Sequence, residues 1–239
     1  QPFTMADFVA HLRGTSTYGH YTTDSTDLTK LFCFDLDLNK SGDLPLRASS
    51  EGQFMMFMNK PLREHWGSRK PGAGRDFLKL QMKKLANQLA SGISRELEIP
   101  TAVTYSGSKG LHIYGFTGKT TANLAREGAK VVLESLAASQ QGFWELKRGN
   151  NFYGYKAADE ATARNPAENF SQFELEVYPK QDSLDGKEKG LGNLLRLPLG
   201  VNLKSPKRDK GFFLDLRTAL TEFTPRDSVD AITTMNQWQ

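Results

Sequence analysis

Cysteine is nearly absent from this chain of 239 residues, in which Cys33 is the one residue of its type. A single thiol excludes a disulfide within the chain, and it also excludes a zinc site built from several cysteines. We therefore expect no zinc here, and a protein that works in a reducing, cytoplasmic compartment.

Long apolar runs are missing as well. The densest, Phe54 to Met58, has five residues, whereas a membrane-spanning helix needs about 20. The opening sequence lacks a basic head followed by an apolar core, so we expect neither a secretory signal nor a membrane partner. Because residue 1 is not Met, we expect an excised domain of a longer protein that also carries a helicase or other domains.

Repeats, low-complexity tracts and interdomain linkers are also missing. Hydrophobic residues make up 38% of the chain and charged residues 24%, which is typical of a globular protein. This composition predicts a single domain over residues 1–239.

Positive charge is present but uneven. The net charge is +4, and residues Lys60 to Lys84 carry eight Lys or Arg side chains against Glu64 and Asp76. A second basic cluster, Lys204 to Lys210, lies near the end. Such clusters suit a polyphosphate partner, because Lys and Arg displace counterions from a nucleic-acid backbone. A solvated cationic surface explains either cluster equally well when it is judged alone.

Apolar spacing predicts the helices. Thr4 to Arg13 begins with Thr4 three residues before Asp7, a capping-box-like start. Arg75 to Glu98 has the apolar spacing of a long amphipathic helix, and Gly92 is the one residue in it that disfavours a helix. Thr120 or Thr121 caps a helix that runs to Ala138. Its predicted buried residues are Leu124, Val131, Val132 and Leu136. A last helix is predicted over Asp227 to Met235.

Alternation and β-branched residues predict the strands. Thr101 to Ser106 and Leu111 to Phe116 flank Gly107 to Gly110 and indicate a hairpin. The other strand candidates are Thr17 to Thr22, Leu31 to Leu38, Phe143 to Lys147, Gln172 to Tyr178, Leu194 to Leu199 and Phe212 to Leu214. The mixed order of helices and strands predicts an α/β or α+β fold with a central, largely antiparallel sheet.

The strand LFCFDLDL contains two aspartates, Asp35 and Asp37. Alternate side chains of a strand share a face, so both carboxylates are expected to project together. Two carboxylates that close repel each other unless a cation lies between them, and oxygen ligands suit Mg²⁺ or Mn²⁺. The simpler alternative is a pair of solvated aspartates at a strand end.

The hairpin SGSKGLHIYGF carries three further candidates. Its glycines allow a close approach of the backbone to an anion, while Lys109 supplies a charge and Ser106 a hydroxyl. His112 follows on the same strand face as Tyr114. A histidine at this position is able to hydrogen-bond a phosphate oxygen, and a purely structural histidine is the alternative.

A second acidic pair, Glu174 and Glu176, shares a face of the strand FELEVY. Lys180 follows this pair closely, and Arg196 lies on the predicted strand Leu194 to Leu199. The alternative interpretation of Arg196 is a charge on an edge strand with no role in binding. Carboxylates that hold metals and cations that hold phosphates are the parts that phosphoryl transfer needs.

These stretches, in this order, resemble the archaeo-eukaryotic primase superfamily. Its three motifs stand here as Asp35 and Asp37 in FDLD, the run SGSKGLH from Ser106 to His112, and Glu176 in ELEVYPKQ. The runs VYPKQD and GNLLRLPLG are similar to primase-polymerases of mobile elements, phages and CRISPR-associated operons. The resemblance implies a two-layer α/β (α+β) catalytic core with an RRM-like sheet, in which an N-terminal part, about 1–100, and an RRM-like part, about 101–239, share one cleft.

The resemblance also implies roles. Asp35, Asp37 and Glu176 would hold two divalent ions, Mg²⁺ or Mn²⁺, and Glu174 remains the alternative third ligand. The triphosphate of an NTP or dNTP would contact the hairpin candidates Ser106, Lys109 and His112 and the later cations Lys180 and Arg196. The expected partners are a single-stranded DNA template, which the segment Lys60 to Lys84 with Trp66 would track, and a primer strand.

Two rival functions remain open at this point. One is a gap-filling or terminal-extending DNA polymerase that cannot initiate a chain. The other is a catalytically silent nucleic-acid-binding module, in which the basic clusters matter and the carboxylates do not.

Overall fold

The computed structural model describes residues 3–38, 56–57, 60–61, 73–165, 167–183, 194–205, 208–215 and 221–222. Four helices lie in these ranges: α1 (Met5–Arg13), α2 (Ala73–Leu97), α3 (Ala122–Ala137) and α4 (Glu160–Arg164). The long helix α2 and the helix α3 lie close to the predicted bounds. The predicted helix Asp227 to Met235 and residues 62–72 of the basic segment, Trp66 among them, lie outside the described residues.

An eight-stranded sheet forms the centre of the molecule. Its strand order is β12-β11-β5-β6-β2-β9-β8-β7, and every described pairing in it is antiparallel. The bounds are β2 (Leu28–Leu38), β5 (Thr101–Tyr105), β6 (Leu111–Thr121), β7 (Gly142–Arg148), β8 (Phe152–Ala157), β9 (Phe173–Tyr178), β11 (Phe212–Asp215) and β12 (Thr221–Glu222). The predicted α+β class with a largely antiparallel central sheet is therefore confirmed.

Two short ribbons accompany the main sheet. One pairs β1 (Gly19–Tyr21) with β10 (Leu194–Arg196), and the other pairs β3 (Met56–Phe57) with β4 (Lys60–Pro61). Strand β2, from the N-terminal part of the chain, lies between β6 and β9. Residues from both predicted parts of the domain thus share one continuous sheet.

The main core lies between the sheet and the helices α2 and α3. Phe32, Phe34 and Leu36 alternate along β2 and pack with Leu85 and Leu89 of α2, and all five are fully buried. Burying side chains of this size stabilises a fold by roughly 1.5–3 kcal/mol each. Every second residue of β2 is thereby committed to the helical layer, so the residues between them face the other way.

Gly92, the one residue of α2 that disfavours a helix, lies where α2 and α3 approach each other closely. A Cβ at this position would lie 3.1 Å from Cγ1 of Val132 in α3. The missing side chain therefore allows close helix packing, which offsets the propensity cost of about 1 kcal/mol for glycine in a helix.

The opposite face of the sheet carries a smaller apolar cluster. Cys33, Tyr114 and Tyr178 come from three adjacent strands, and Leu195 of the β1–β10 ribbon packs over them. Only part of this face is covered by the ribbon. The remainder of the central strands on this side is where the polar side chains lie.

Helix α1 begins as predicted. Thr4 is the N-cap, its side chain accepts from the backbone N–H of Asp7, and Asp7 accepts from the backbone N–H of Thr4. Two orphan backbone donors are satisfied reciprocally, and a cap of this kind contributes about 1 kcal/mol. At the other end, the single backbone N–H of Gly14 donates to the carbonyls of Ala10 and His11.

The predicted core face of α3 was wrong in part. Val132 and Leu136 are buried, but Leu124 is 62% exposed and Val131 is 44% exposed. The buried stripe instead includes the small residues Ala122, Ala125 and Ala129 in the first half of the helix. Strand β8 and helix α4 were missed altogether, and no described helix is long and apolar enough to cross a membrane.

Candidate functional site

Asp35 and Asp37 lie on the face of β2 that is turned away from the helices. Their neighbours Phe34 and Leu36 are fully buried, whereas the two aspartates are partly exposed. The strict alternation of β2 thus brings the two carboxylates to one face, near the end of the strand at Leu38.

Antiparallel pairing extends this acidic pair into a row across three strands. His112 of β6 and Glu176 of β9 are the register partners of Asp35 on its two sides. Glu174 is the partner of Asp37 in the same pairing of β2 with β9. Paired residues of neighbouring strands share a face with Cα atoms about 4.5–5.5 Å apart. Four carboxylates and one imidazole therefore project from one side of the sheet.

His112 is buried against Asp35 and Tyr114. Its Nε2 lies 3.5 Å from Asp35 Oδ1, and its Nδ1 lies 3.3 Å from the Tyr114 hydroxyl. Burial, reinforced by the positive charges of Arg196 and His20, lowers the pKa of His112 to about 3. The ring is therefore neutral at pH 7. Because a carboxylate only accepts hydrogen bonds, the tautomer with its proton on Nε2 suits both neighbours.

The hairpin between β5 and β6 brings Ser106 and Lys109 beside Asp37. The backbone N–H of Gly110 donates to Ser106 Oγ at 3.2 Å, and the N–H of Ser106 donates to the Gly110 carbonyl at 2.9 Å. Lys109 Nζ lies 3.5 Å from Asp37 Oδ2 and donates to the Leu38 carbonyl at 3.3 Å. The hydroxyl and the ammonium are thus held at the same end of β2 as the carboxylates.

Both glycines of the hairpin permit close contacts with the protein itself. A Cβ at Gly110 would overlap the Asp37 carboxylate and lie 2.5 Å from the Leu36 carbonyl oxygen. Gly107 has φ +70°, and a Cβ there would lie 2.7 Å from the Asp209 carbonyl and 3.0 Å from Arg196 Nη1. The space left by these glycines is therefore filled by Asp37 and Arg196.

Arg196, at the end of the β1–β10 ribbon, reaches the same cleft. Its Nη1 donates to the Gly200 carbonyl at 3.4 Å. Burial lowers the pKa of the guanidinium, and Tyr114, Tyr105 and Asp35 oppose that shift. The cleft has a volume of about 400 Å³ and is lined by Thr17, Tyr18, Gly19, Asp35, Asp37, Ser106, Ser108, Lys109, His112, Tyr178, Leu194, Leu195, Arg196, Asn202 and Lys204.

Glu176 shares the row with Asp35, but its carboxylate is turned towards β9's own loop. Lys180 Nζ lies 2.6 Å from Glu176 Oε1, and Asn151 Nδ2 donates to the same oxygen at 3.2 Å. The Tyr178 hydroxyl lies 3.4 Å from the other oxygen. Six of the eight predicted site residues line the cleft. Glu176 and Lys180 form an ion pair beside it.

Arg126 of α3 is a component of this site that the sequence did not indicate. Its side chain is 4% exposed, and Nη1 donates to the Lys180 carbonyl at 3.1 Å and contacts Asp182 Oδ1 at 3.1 Å. Its Nη2 donates to the Asn150 carbonyl. One guanidinium thus joins the two loops that supply Lys180 and Asn151, the partners of Glu176. Its place inside an amphipathic helix gave no signal of this role.

The donor set partly fits a divalent cation. Asp35 and Asp37 present carboxylate oxygens on one face of a cleft, which is ligand chemistry for Mg²⁺ or Mn²⁺. Within the described residues, no group of three or more His, Cys, Asp or Glu side chains is arranged to hold a metal ion. A third carboxylate would come either from Glu176, by rotation of its side chain away from Lys180, or from Glu174, since the backbone register brings these residues opposite Asp35 and Asp37.

Comparison of the chain with known protein families and with curated proteins gave no match. The fold and the site define an α+β protein with a cleft of mixed charge on the open face of an antiparallel sheet. Any more specific function has to be argued from the chemistry of that cleft.

Proposed function

We propose that this chain is a template-directed nucleotidyltransferase, a primase-polymerase domain of the archaeo-eukaryotic primase superfamily. The observation that carries the proposal is the row His112, Asp35 and Glu176 across three paired strands, with Asp37 beside it. The three sequence motifs of the resemblance are separated by more than 60 residues along the chain, and they meet on one sheet face.

Asp35, Asp37 and Glu176 would hold Mg²⁺ or Mn²⁺ in this proposal. Two bound divalent ions activate the attacking 3′-hydroxyl and neutralise charge on the transferred phosphoryl group. Asp35 and Asp37 supply hard oxygen ligands from the open end of the cleft. Glu176 joins them when Lys180 releases it, and an incoming triphosphate attracts the Lys180 ammonium in its place.

The cations and hydroxyls of the cleft would bind the triphosphate of an NTP or dNTP. Lys109 in the hairpin loop and Arg196 at the end of β10 both line the cleft, so they are able to contact different phosphate groups. Ser106 adds a hydroxyl. The neutral ring of His112 holds its Nε2–H beside Asp35, and it would share this donor with a bound phosphate oxygen without adding charge.

The macromolecular partners in this proposal are a single-stranded DNA template and a primer strand. Lys204 lines the cleft itself. Of the basic segment, Arg75, Lys79 and Lys83 lie on α2, which packs against β5 and β6. A helicase or other domains of a longer protein, and a reducing cytoplasmic setting, remain expectations from the sequence.

The decisive experiment is nucleotide incorporation on single-stranded DNA with Mg²⁺ or Mn²⁺. One reaction contains template and free nucleotides without a primer, and a second contains a primed template. We expect products in both, and we expect Asp35→Asn with Asp37→Asn to abolish them. The matched control is Asp24→Asn with Asp159→Asn, which removes two exposed carboxylates that lie outside the cleft.

Each of the other outcomes identifies a rival. Extension without initiation would indicate a gap-filling or terminal-extending polymerase. Full activity of the Asp35→Asn, Asp37→Asn protein would overturn the proposed site. Strand binding without any incorporation, and without divalent-ion binding, would indicate a silent nucleic-acid-binding module.

A further inference from the structure

A second cavity lies on the helical side of the β5–β6 hairpin and has a volume of about 330 Å³. Three cations of α2, Arg75, Lys79 and Lys83, line one side of it. They are spaced four residues apart, so they stand one above another on one face of the helix. Among the described residues that line the cavity there is no carboxylate, so the side formed by these cations favours anions.

An aromatic wall faces these cations. Tyr105 of β5 and Phe212 of β11 are register partners, and their ring centroids lie 5.1 Å apart. The Tyr105 hydroxyl donates to the Ser108 carbonyl at 2.7 Å and lies 3.3 Å from Asp209 Oδ2. Burial, with the negative charge of Asp209, raises the pKa of Tyr105 to about 12. The ring is therefore neutral and held in place.

The floor of the cavity is apolar. Met82, Leu111 and Leu214 line it, and each is at most 6% exposed. A ligand for this cavity must combine a flat apolar part for the wall and floor with anionic groups for the rim. An inorganic anion would leave the wall unused, and a purely apolar ligand would leave the cations unused.

We propose that this cavity binds single-stranded nucleic acid by taking up one unstacked nucleobase against Tyr105 and Phe212, while Arg75, Lys79 and Lys83 contact the phosphates on either side of it. Aromatic rings stack on any base, and cations that follow the backbone add affinity without sequence preference. A duplex keeps its bases paired and stacked, so it cannot supply the base. The choice of a nucleic-acid strand as ligand rests on the proposed function.

The position of the cavity supports a strand that continues from the first cleft. Tyr105 and Leu111 are paired at the end of the hairpin, and the loop between them contains Ser106 and Lys109, which line the cleft. A nucleic-acid strand that leaves the cleft would pass around this hairpin end to enter the cavity on the other face of the sheet. The sequence had indicated only a basic segment that would follow the sugar-phosphate backbone of a DNA template. It did not indicate a pocket for a base.

Binding of a fluorescent oligothymidylate of about 16 nucleotides, measured by anisotropy without divalent ions or free nucleotides, tests the proposal. We expect Lys79→Gln with Lys83→Gln to weaken binding about 10-fold or more and to reduce the slope of log K against log salt by about 1.4. The control, Lys130→Gln with Lys147→Gln, removes two exposed cations that do not line the cavity. We expect it to leave both the affinity and the salt slope unchanged.

The aromatic wall is tested separately with Phe212→Leu, which keeps an apolar side chain. We expect it to weaken binding of oligothymidylate about 5-fold or more, and to leave binding of an abasic oligonucleotide unchanged. Equal binding by both double-lysine variants would overturn the proposal. So would equal binding of abasic and thymidine strands by the original protein, or tighter binding of duplex than of single strand.

Failure of this inference can be distinguished from failure of the proposed function. The binding assay contains no divalent ion and needs no chemistry, while nucleotide incorporation is measured apart from it. A protein that binds strands through the cavity but incorporates no nucleotide retains the inference and loses the proposed function. If the protein synthesises primers but the two double-lysine variants bind the oligonucleotide equally well, the proposed function is retained and the inference about the cavity is lost.

Discussion

Asp35 and Glu176 lie directly opposite each other in the antiparallel pairing of β2 with β9, yet Glu176 Oε1 is held 2.6 Å from Lys180 Nζ. The backbone thus brings two carboxylates to neighbouring positions on one face, while a local cation keeps their side chains apart. Mutual repulsion of the carboxylates favours this arrangement whenever no cation lies between them.

The third acidic position can be assigned by comparing two conservative changes. We expect Glu176→Gln to lower nucleotide incorporation more than about 100-fold, beyond what loss of a supporting partner usually costs. Glu174→Gln should lower it less than about 10-fold, because Glu174 is only 8% exposed and so is less accessible to a bound ion. Steady-state incorporation on a primed template measures both. The reverse order of effects would assign the role to Glu174.

Gly110 is expected to be intolerant of any side chain. Gly110→Ala places a Cβ against the Asp37 carboxylate and the Leu36 carbonyl oxygen, so the strand must shift. We expect a loss of about 1–3 kcal/mol in the free energy of unfolding, measured by chemical denaturation. Gly118→Ala in β6, the strand that begins just after Gly110, is the control, because no atom of the described residues lies within 4 Å of its Cβ position. Equal stability of the two variants would contradict the close approach.

Arg126 is predicted to position the partners of Glu176. Arg126→Lys keeps the charge but loses the planar fork that contacts two loops, so we expect about 10-fold lower incorporation. We also expect a shift in the Mn²⁺ concentration that gives half-maximal rate. The free energy of unfolding should fall by about 1–3 kcal/mol.

Arg95→Lys is the matched control for Arg126, because Arg95 is 54% exposed on α2 and pairs with Glu96. Exposed ion pairs contribute little to stability. If Arg126→Lys lowers stability but leaves the rate and its Mn²⁺ dependence unchanged, Arg126 is a purely structural residue.

Cys33 provides an internal probe of unfolding. It is fully buried, and burial raises the pKa of its thiol, with the negative charge of Asp35 adding to the shift. Because the thiolate is the reactive form, we expect alkylation in the native protein to be at least about 1,000-fold slower than in denaturant. Mass spectrometry of timed samples measures this ratio. Rapid labelling under native conditions would show that the β2 core opens readily.

Local patterns in the sequence were sufficient for most of the elements. Thr4 and Asp7 predict the start of α1 because the two residues that cap each other lie within one turn. The glycines on either side of Lys109 predict the hairpin because a turn also depends only on neighbouring residues. Leu124 and Val131 were assigned wrongly to the core, since the buried side of α3 is set by the sheet and the helix against which it packs. Spacing along the helix does not contain that information.

What the sequence alone determined is the period of each element and the residue types at its ends: Asp35 and Asp37 share a face because alternation in a strand is a local property. The tertiary structure decided which residues lie opposite them. The partnership of Asp35 with His112 and Glu176, the contact of Gly110 with Asp37 and the bridge from Arg126 to Lys180 join residues far apart in the chain. These contacts depend on the order and register of the strands. The register is set because the apolar side chains on the sheet face that packs against α2 and α3 must all be buried together.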